Sequence, residues 1–164
     1  MPGHTLVHAT IAEPAAGKAP PAEPCIMVIF GATGDLTKRL LTPALYNLAC
    51  DGLLSRQFAI AGMALDELGT DAFRARLSDD IQKFNTREKF DARVWNEFVR
   101  RIYYLPGNFG DPSAFKRLAE LVARLDAEYR AAGNTLFYMA TPPSVFGLIS
   151  DQLDREGFKN RSKG

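Results

Sequence analysis

Cys25-Ile26-Met27-Val28-Ile29-Phe30-Gly31-Ala32-Thr33-Gly34-Asp35-Leu36-Thr37-Lys38-Arg39 decides the fold. Its first six residues are an unbroken apolar run with β-branched Ile26, Val28 and Ile29, closed by Gly31. Six residues between Pro24 and Gly31 are too few for a stable helix. A run without polar alternation suits a central parallel strand covered on both faces. Gly31-x-x-Gly34 then sits between strand and helix, the setting in which a glycine-rich turn cradles a phosphate. Gly31 permits the tight turn, and Gly34 lets the backbone approach a diphosphate. The helix that follows offers unpaired N–H groups and the positive end of its dipole. Within the turn, Ala32 is small and Thr33 carries a hydroxyl donor. Asp35 is ill suited to an anion and reads as a helix cap or a group behind the ligands.

The pattern departs from the full dinucleotide fingerprint. If Gly31 and Gly34 are its second and third glycines, Ile29 fills the first position; if they are an earlier pair, Thr37 stands where the next glycine belongs. It is not a nucleoside-triphosphate loop, since Lys38 lacks the G-K-[ST] arrangement. A purely structural strand-to-helix turn is the competing reading. Position in the first βα unit favours binding, because open sheets hold ligands beyond their strand C-termini.

Outward from this stretch, Leu36, Leu40, Leu41, Leu45 and Leu48 predict a helix over about 35–50. Pro43 is awkward inside it and predicts a short first turn, then a kink or restart with Thr42 as cap and Pro43 at the first position. A strand over 58–62 follows, then helices over 70–84 and 88–100, each with aromatic and aliphatic residues every three or four positions. A strand over 102–105 ends at Pro106-Gly107. Asp111 as cap and Pro112 at the first position start a helix running to near Gly133. A strand over 135–140, the rigid turn Thr141-Pro142-Pro143, and a last helix capped by Ser144 complete the chain. Alternation of strands with helices of this length predicts an α/β, Rossmann-like three-layer parallel sheet, incomplete at about four strands. Residues 1–24, rich in Ala and Pro, read as a disordered tail, 25–158 as the nucleotide-binding domain, and 159–164 as a polar C-terminal tail.

The totals narrow the function. The 164 residues are 46% hydrophobic and 24% charged, as in a globular protein. A net charge of +1 gives no long-range attraction for nucleic acid or an anionic membrane. No apolar run reaches bilayer length, and none near the start has signal-peptide form. Two cysteines, Cys25 and Cys50, make neither a disulfide framework nor a metal site, so a reducing, cytoplasmic setting is expected. Both histidines, His4 and His8, fall in the tail, so no general base of that type and no nucleophile–histidine set is available in the domain. Tyr103, Tyr104 and Tyr138 read as core or rim aromatics.

With Gly31 to Arg39 in view, the chain resembles the N-terminal cofactor domain of the glucose-6-phosphate dehydrogenase family. Pro43, the turn Asp51-Gly52-Leu53-Leu54, and the stretch from Leu136 through Thr141-Pro142-Pro143 to Phe146 match that family in order and spacing, and Tyr104-Leu105-Pro106-Gly107-Asn108-Phe109 matches more weakly. The resemblance spans about 25–157. It implies NADP or NAD as cofactor, and oxidation of glucose 6-phosphate to its lactone by hydride transfer, a step of the pentose phosphate pathway. It implies contacts at Gly31, Ala32, Thr33, Gly34, Asp35, Leu36 and Lys38, with Lys38 or Arg39 near the phosphates. Thr141, Pro142 and Pro143 would shape the nicotinamide end, and Tyr104 would lie near the cofactor. For Lys38 and Arg39, solvated charges on a first helical turn is the equal alternative.

Two departures qualify what the resemblance implies. The family places an arginine after the second strand to pair with the 2′-phosphate of NADP; here Leu65 stands there, and a leucine makes no charge-assisted contact. Asp66 beside it would repel a phosphate and suit a free ribose hydroxyl, so the expectation is a preference for NAD or weak binding of NADP. The family also carries its catalytic histidine and sugar-phosphate site in a later domain, which this sequence does not show. The chain is therefore expected to be inactive alone and to leave a sheet edge that favours self-association; the alternative is a non-catalytic dinucleotide- or partner-binding module.

Overall fold

The computed structural model describes residues 19–158. Four parallel strands, β1 (Cys25–Phe30), β2 (Phe58–Ala64), β3 (Ile102–Pro106) and β4 (Thr135–Met139), lie in the order β3-β2-β1-β4. The apolar run that opens the domain is thus a central strand. Its alternate residues feed two cores: Ile26, Val28 and Phe30 face one way, Met27 and Ile29 the other. Every residue of β2 is buried. Covered faces, and not period-two alternation, explain why both strands read as continuous apolar runs.

The helices are α1 (Thr42–Cys50), α2 (Thr70–Phe84), α3 (Ala92–Val99), α4 (Pro112–Tyr129) and α5 (Phe146–Arg155). Buried residues of α1, α2 and α3 pack with Met27 and Ile29, whereas α4 and α5 supply Phe115, Leu118, Val122, Leu125 and Ile149 to the opposite core. The chain steps outward from β1 to β3 with helices on one face, then returns past β1 to β4 through α4 on the other. A constant crossover hand requires that change of face when the direction reverses. The reversal leaves a topological switch point between β1 and β4, where ligands of open α/β sheets bind.

Local chemistry moves several expected boundaries. Around Pro43 the helix does not restart. Helical backbone begins at Asp35, passes through a π turn over Thr37–Leu41 and continues into α1, with the Thr42 N–H donating to the Thr37 carbonyl. Thr42 is helical and is not a cap; Leu41 precedes α1 with no side-chain capping bond. The expected helix over 88–100 begins only at Ala92, because Asp91 caps it by accepting from the N–H groups of Arg93 and Val94. Ser144 does not cap the last helix: Pro143–Val145 forms a 3₁₀ turn, and α5 starts at Phe146 without a side-chain cap. Asp111 and Pro112 do start α4, and Asp111 accepts from the Ser113 N–H at 2.9 Å.

Of the expected tails, residues 1–18, which include His4 and His8, and 159–164 lie outside the described residues. Residues 19–24 have no regular secondary structure, and the Ala22 N–H donates to the Leu53 carbonyl at 2.8 Å. β4 pairs only with β1 and forms one edge of the sheet, with Leu136 53% exposed. Among the described residues no helix is long and apolar enough to cross a membrane.

Candidate functional site

Gly31 leaves β1 with φ +82°, a conformation that costs a residue with Cβ roughly 1–2 kcal/mol. A Cβ there would also lie 2.3 Å from the Ala140 carbonyl oxygen, so the turn presses on the chain as it leaves β4. The N–H groups of Gly31 and Ala32 both donate to the Met63 carbonyl, at 2.9 and 3.3 Å. Ala32 itself is buried, against Gly62 of β2, where a Cβ would come within 2.7 Å of the Ala32 methyl. These contacts fix the turn to β2 and β4 together. They also commit the Gly31 and Ala32 amides to the protein.

The amides left over are those beyond them. Gly34 donates to the Gly31 carbonyl at 3.0 Å, and the first helical bond runs from the Lys38 N–H to the Gly34 carbonyl. The N–H of Thr33 takes no acceptor among the described residues, and those of Asp35, Leu36 and Thr37 precede the first helical bond. A Cβ on Gly34 would meet only the Gly31 oxygen, at 3.3 Å. A side chain there would otherwise meet open space. Thr37 is buried and donates its hydroxyl to the Gly31 carbonyl at 3.0 Å.

Across the switch point stands Thr141, next to Ala140 at the end of β4. Its Oγ1 is buried with no hydrogen-bond partner, and its Cγ2 lies 3.2 Å from a Cβ built on Gly31. Buried hydroxyls are nearly always paired, and Thr141 Oγ1 shares this exception with Asn47 Oδ1 among the described residues. Pro142 and Pro143 beside it are exposed. The turn, the open side at Gly34 and the Thr141 hydroxyl fit a dinucleotide laid across β1 and β4.

The remaining residues read from sequence divide. Asp35 is not a cap. Its carboxylate pairs with Lys38 at 3.2 Å and Arg39 at 3.8 Å, and the Lys38 hydrogen bond and charge hold it below the ordinary carboxylate range. Arg39 also stacks over the Phe84 ring, 4.7 Å from its centroid. Lys38 stays on the first turn beside the open amides. Leu36 and Leu65 are 40% and 65% exposed. Tyr104 is buried: its ring packs on Phe73, its hydroxyl donates to the Asp66 carbonyl at 2.7 Å, and burial pushes its pKa up to about 12. It braces the loop after β2 and presents no free hydroxyl.

Sequence reasoning missed Arg76. From α2 its guanidinium donates to Asp66 Oδ2 at 2.8 Å, while the Thr33 hydroxyl donates to Oδ1 at 3.0 Å. Arg76 first, and Thr33 with it, hold the Asp66 carboxyl below the ordinary range. One carboxylate thereby ties the glycine-rich turn to α2 at the β2 end of the site. No group of three or more metal-ligating side chains occurs among the described residues.

Residues 28–164 match the family described as "Glucose-6-phosphate dehydrogenase, NAD binding domain". A glucose-6-phosphate 1-dehydrogenase of Chlamydia muridarum is 42% identical over 136 residues, covering 83% of this chain and 27% of that protein. The Leuconostoc mesenteroides enzyme of the same name is 33% identical over 132 residues, covering 80% and 26%. Among solved structures, glucose-6-phosphate 1-dehydrogenase from Mycobacterium avium superposes with a TM-score of 0.71 at 30% identity, covering 84% of this chain and 28% of that one. A glucose-6-phosphate dehydrogenase solved with glucose 6-phosphate gives a TM-score of 0.73 at 27% identity, with 85% and 28% coverage. The chain thus spans about a quarter of the length of these relatives. It belongs to the glucose-6-phosphate dehydrogenase family, within the NAD-binding domain of that family.

Proposed function

We propose that the chain binds a nicotinamide dinucleotide across the β1–β4 switch point, taking NAD more tightly than NADP. The open space at Gly34, on a turn whose next amides have no protein acceptor among the described residues, is the observation that carries this reading. Thr33, Asp35, Leu36 and Lys38 line the diphosphate end, Gly31 and Ala32 shape it through their backbone, and Lys38 adds the compensating charge. Thr141 supplies a hydroxyl toward the nicotinamide end, with Pro142 and Pro143 keeping that turn rigid. Leu65 and Asp66 favour a free 2′-hydroxyl over a 2′-phosphate.

The cofactor would supply the hydride acceptor for oxidation of glucose 6-phosphate. In this reading the domain positions the cofactor for that oxidation, and the chain spans about a quarter of the length of its dehydrogenase relatives. Residues 25–158 form the binding unit, in the cytoplasm, and the free edge of β4 promotes self-association of the chain by itself.

Isothermal titration of the purified chain with NAD and NADP, alongside an assay with glucose 6-phosphate, tests the proposal. Saturable binding, tighter for NAD, without turnover is expected. Absence of binding by both dinucleotides refutes it.

A further inference from the structure

The Asp66–Arg76 pair stands at the β2 end of the site and is made by side chains from two separate elements. Asp66 follows β2, where a carboxylate in this fold class meets the hydroxyls of the adenosine ribose. Arg76 lies on the next helix in sequence yet 2.8 Å away in space. Both side chains are accessible, Arg76 at 44% and Asp66 at 42%. Thr33, from the diphosphate turn, holds the other carboxylate oxygen. Arg76 is thus the cation that neutralises Asp66.

Resting on the binding reading above, we propose that this pair selects the cofactor: Asp66 takes the 2′-hydroxyl of NAD and, in the same arrangement, occupies the guanidinium that a 2′-phosphate would need. A phosphate placed there meets a carboxylate first and gains Arg76 only if the ion pair opens. Leu65 offers no substitute charge. The preference for NAD therefore resides in Asp66 holding Arg76, and Arg76 is a latent phosphate ligand. A planar, multi-donor guanidinium is the side chain suited to that task once freed.

Four proteins decide the matter by titration with NAD and NADP: the unaltered chain, Asp66→Asn, Arg76→Gln and the double variant. Asp66→Asn removes the charge that masks Arg76 and keeps a polar partner for Thr33. It should raise the NADP-to-NAD affinity ratio by about tenfold, equivalent to ~1.4 kcal/mol. Arg76→Gln should lower that ratio below that of the unaltered chain, since the carboxylate loses its neutralising partner. In the double variant the gain of Asp66→Asn should disappear. An unchanged ratio in Asp66→Asn, or a gain that survives loss of Arg76, overturns the selector while leaving dinucleotide binding intact. If the unaltered chain binds neither dinucleotide, the binding reading itself falls and the selector with it.

Discussion

Gly31 and Gly34 belong to one turn but should fail in opposite ways when each becomes alanine. At Gly31 two costs add. The left-handed backbone costs a non-glycine residue roughly 1–2 kcal/mol. The new methyl starts 2.3 Å from the Ala140 carbonyl oxygen and 2.9 Å from its carbon, and must be brought to at least 3.0 Å. That carbonyl belongs to the residue whose N–H closes the β1–β4 ladder on Phe30, at 2.9 Å, so backbone and not a flexible side chain has to give way. Overpacking of this kind costs about 1–3 kcal/mol. The sum, about 2–5 kcal/mol, is a large part of an ordinary domain's stability. At about 2–4 °C per kcal/mol for a chain of this size, Tm should fall by at least ~4 °C. At Gly34 the added methyl meets only the Gly31 oxygen at 3.3 Å, so Tm should stay within ~2 °C of the unaltered chain. The same methyl stands where a diphosphate must approach the amides, so dinucleotide affinity should drop about tenfold or more. Thermal unfolding and isothermal titration on both variants check this. A Gly31→Ala protein with unaltered Tm, or a Gly34→Ala protein that binds normally, would refute the reasoning.

Thr37→Val removes one of the two donors on the Gly31 carbonyl and should cost about 1 kcal/mol in urea unfolding, since the Gly34 N–H remains. Asp91→Ala strips the cap of α3 and should cost a similar ~1 kcal/mol, with no change in dinucleotide affinity because α3 is remote from the turn; a binding defect would count against the site's location. Asp66 gives a pH signature. Its carboxyl is depressed by Arg76 and Thr33, so its contribution to stability is complete above the ordinary aspartate range, about pH 4, and is lost as pH falls through the lowered value. The gap in urea midpoint between the unaltered chain and Asp66→Asn should narrow as pH falls below about 4; a gap independent of pH would show that the ion pair adds nothing.

Features that depend on neighbours in sequence are legible from it. β1 and β2 read as buried strands because both faces are covered, which leaves no polar residue to interrupt the run. Asp111 and Pro112 announce α4 because capping is a contact over two or three residues. Asp35 misleads although the signal is present: cations at i+3 and i+4 compete for a carboxylate on a first helical turn, and here they take it. Ser144 fails as a cap because two consecutive prolines favour a 3₁₀ turn ahead of the α-helix. Arg76 is not legible at all. Phe73 and Leu77 mark the buried stripe of α2, but nothing in its spacing says which flanking cation reaches across to the end of β2. That placement depends on the sheet order and on how α2 packs, both tertiary facts.

The first helical turn after the glycine-rich turn carries a buried Thr37, and Pro43 accounts for how the helix accommodates it. A proline at 43 has no N–H to give the Arg39 carbonyl, and its ring crowds that carbonyl in a regular α-helix. The backbone relieves both by widening into a π turn just ahead of Pro43, where the Thr42 N–H reaches the Thr37 carbonyl, five residues back. Thr37 opens that π turn with its side chain buried, and its hydroxyl holds the Gly31 carbonyl at 3.0 Å. A glycine at 37 would supply no hydroxyl and would loosen a helical position by roughly 0.5–1 kcal/mol. Thr37 therefore fastens the helix to the turn through the Gly31 carbonyl, while a Cβ at Gly34 would meet only the Gly31 oxygen.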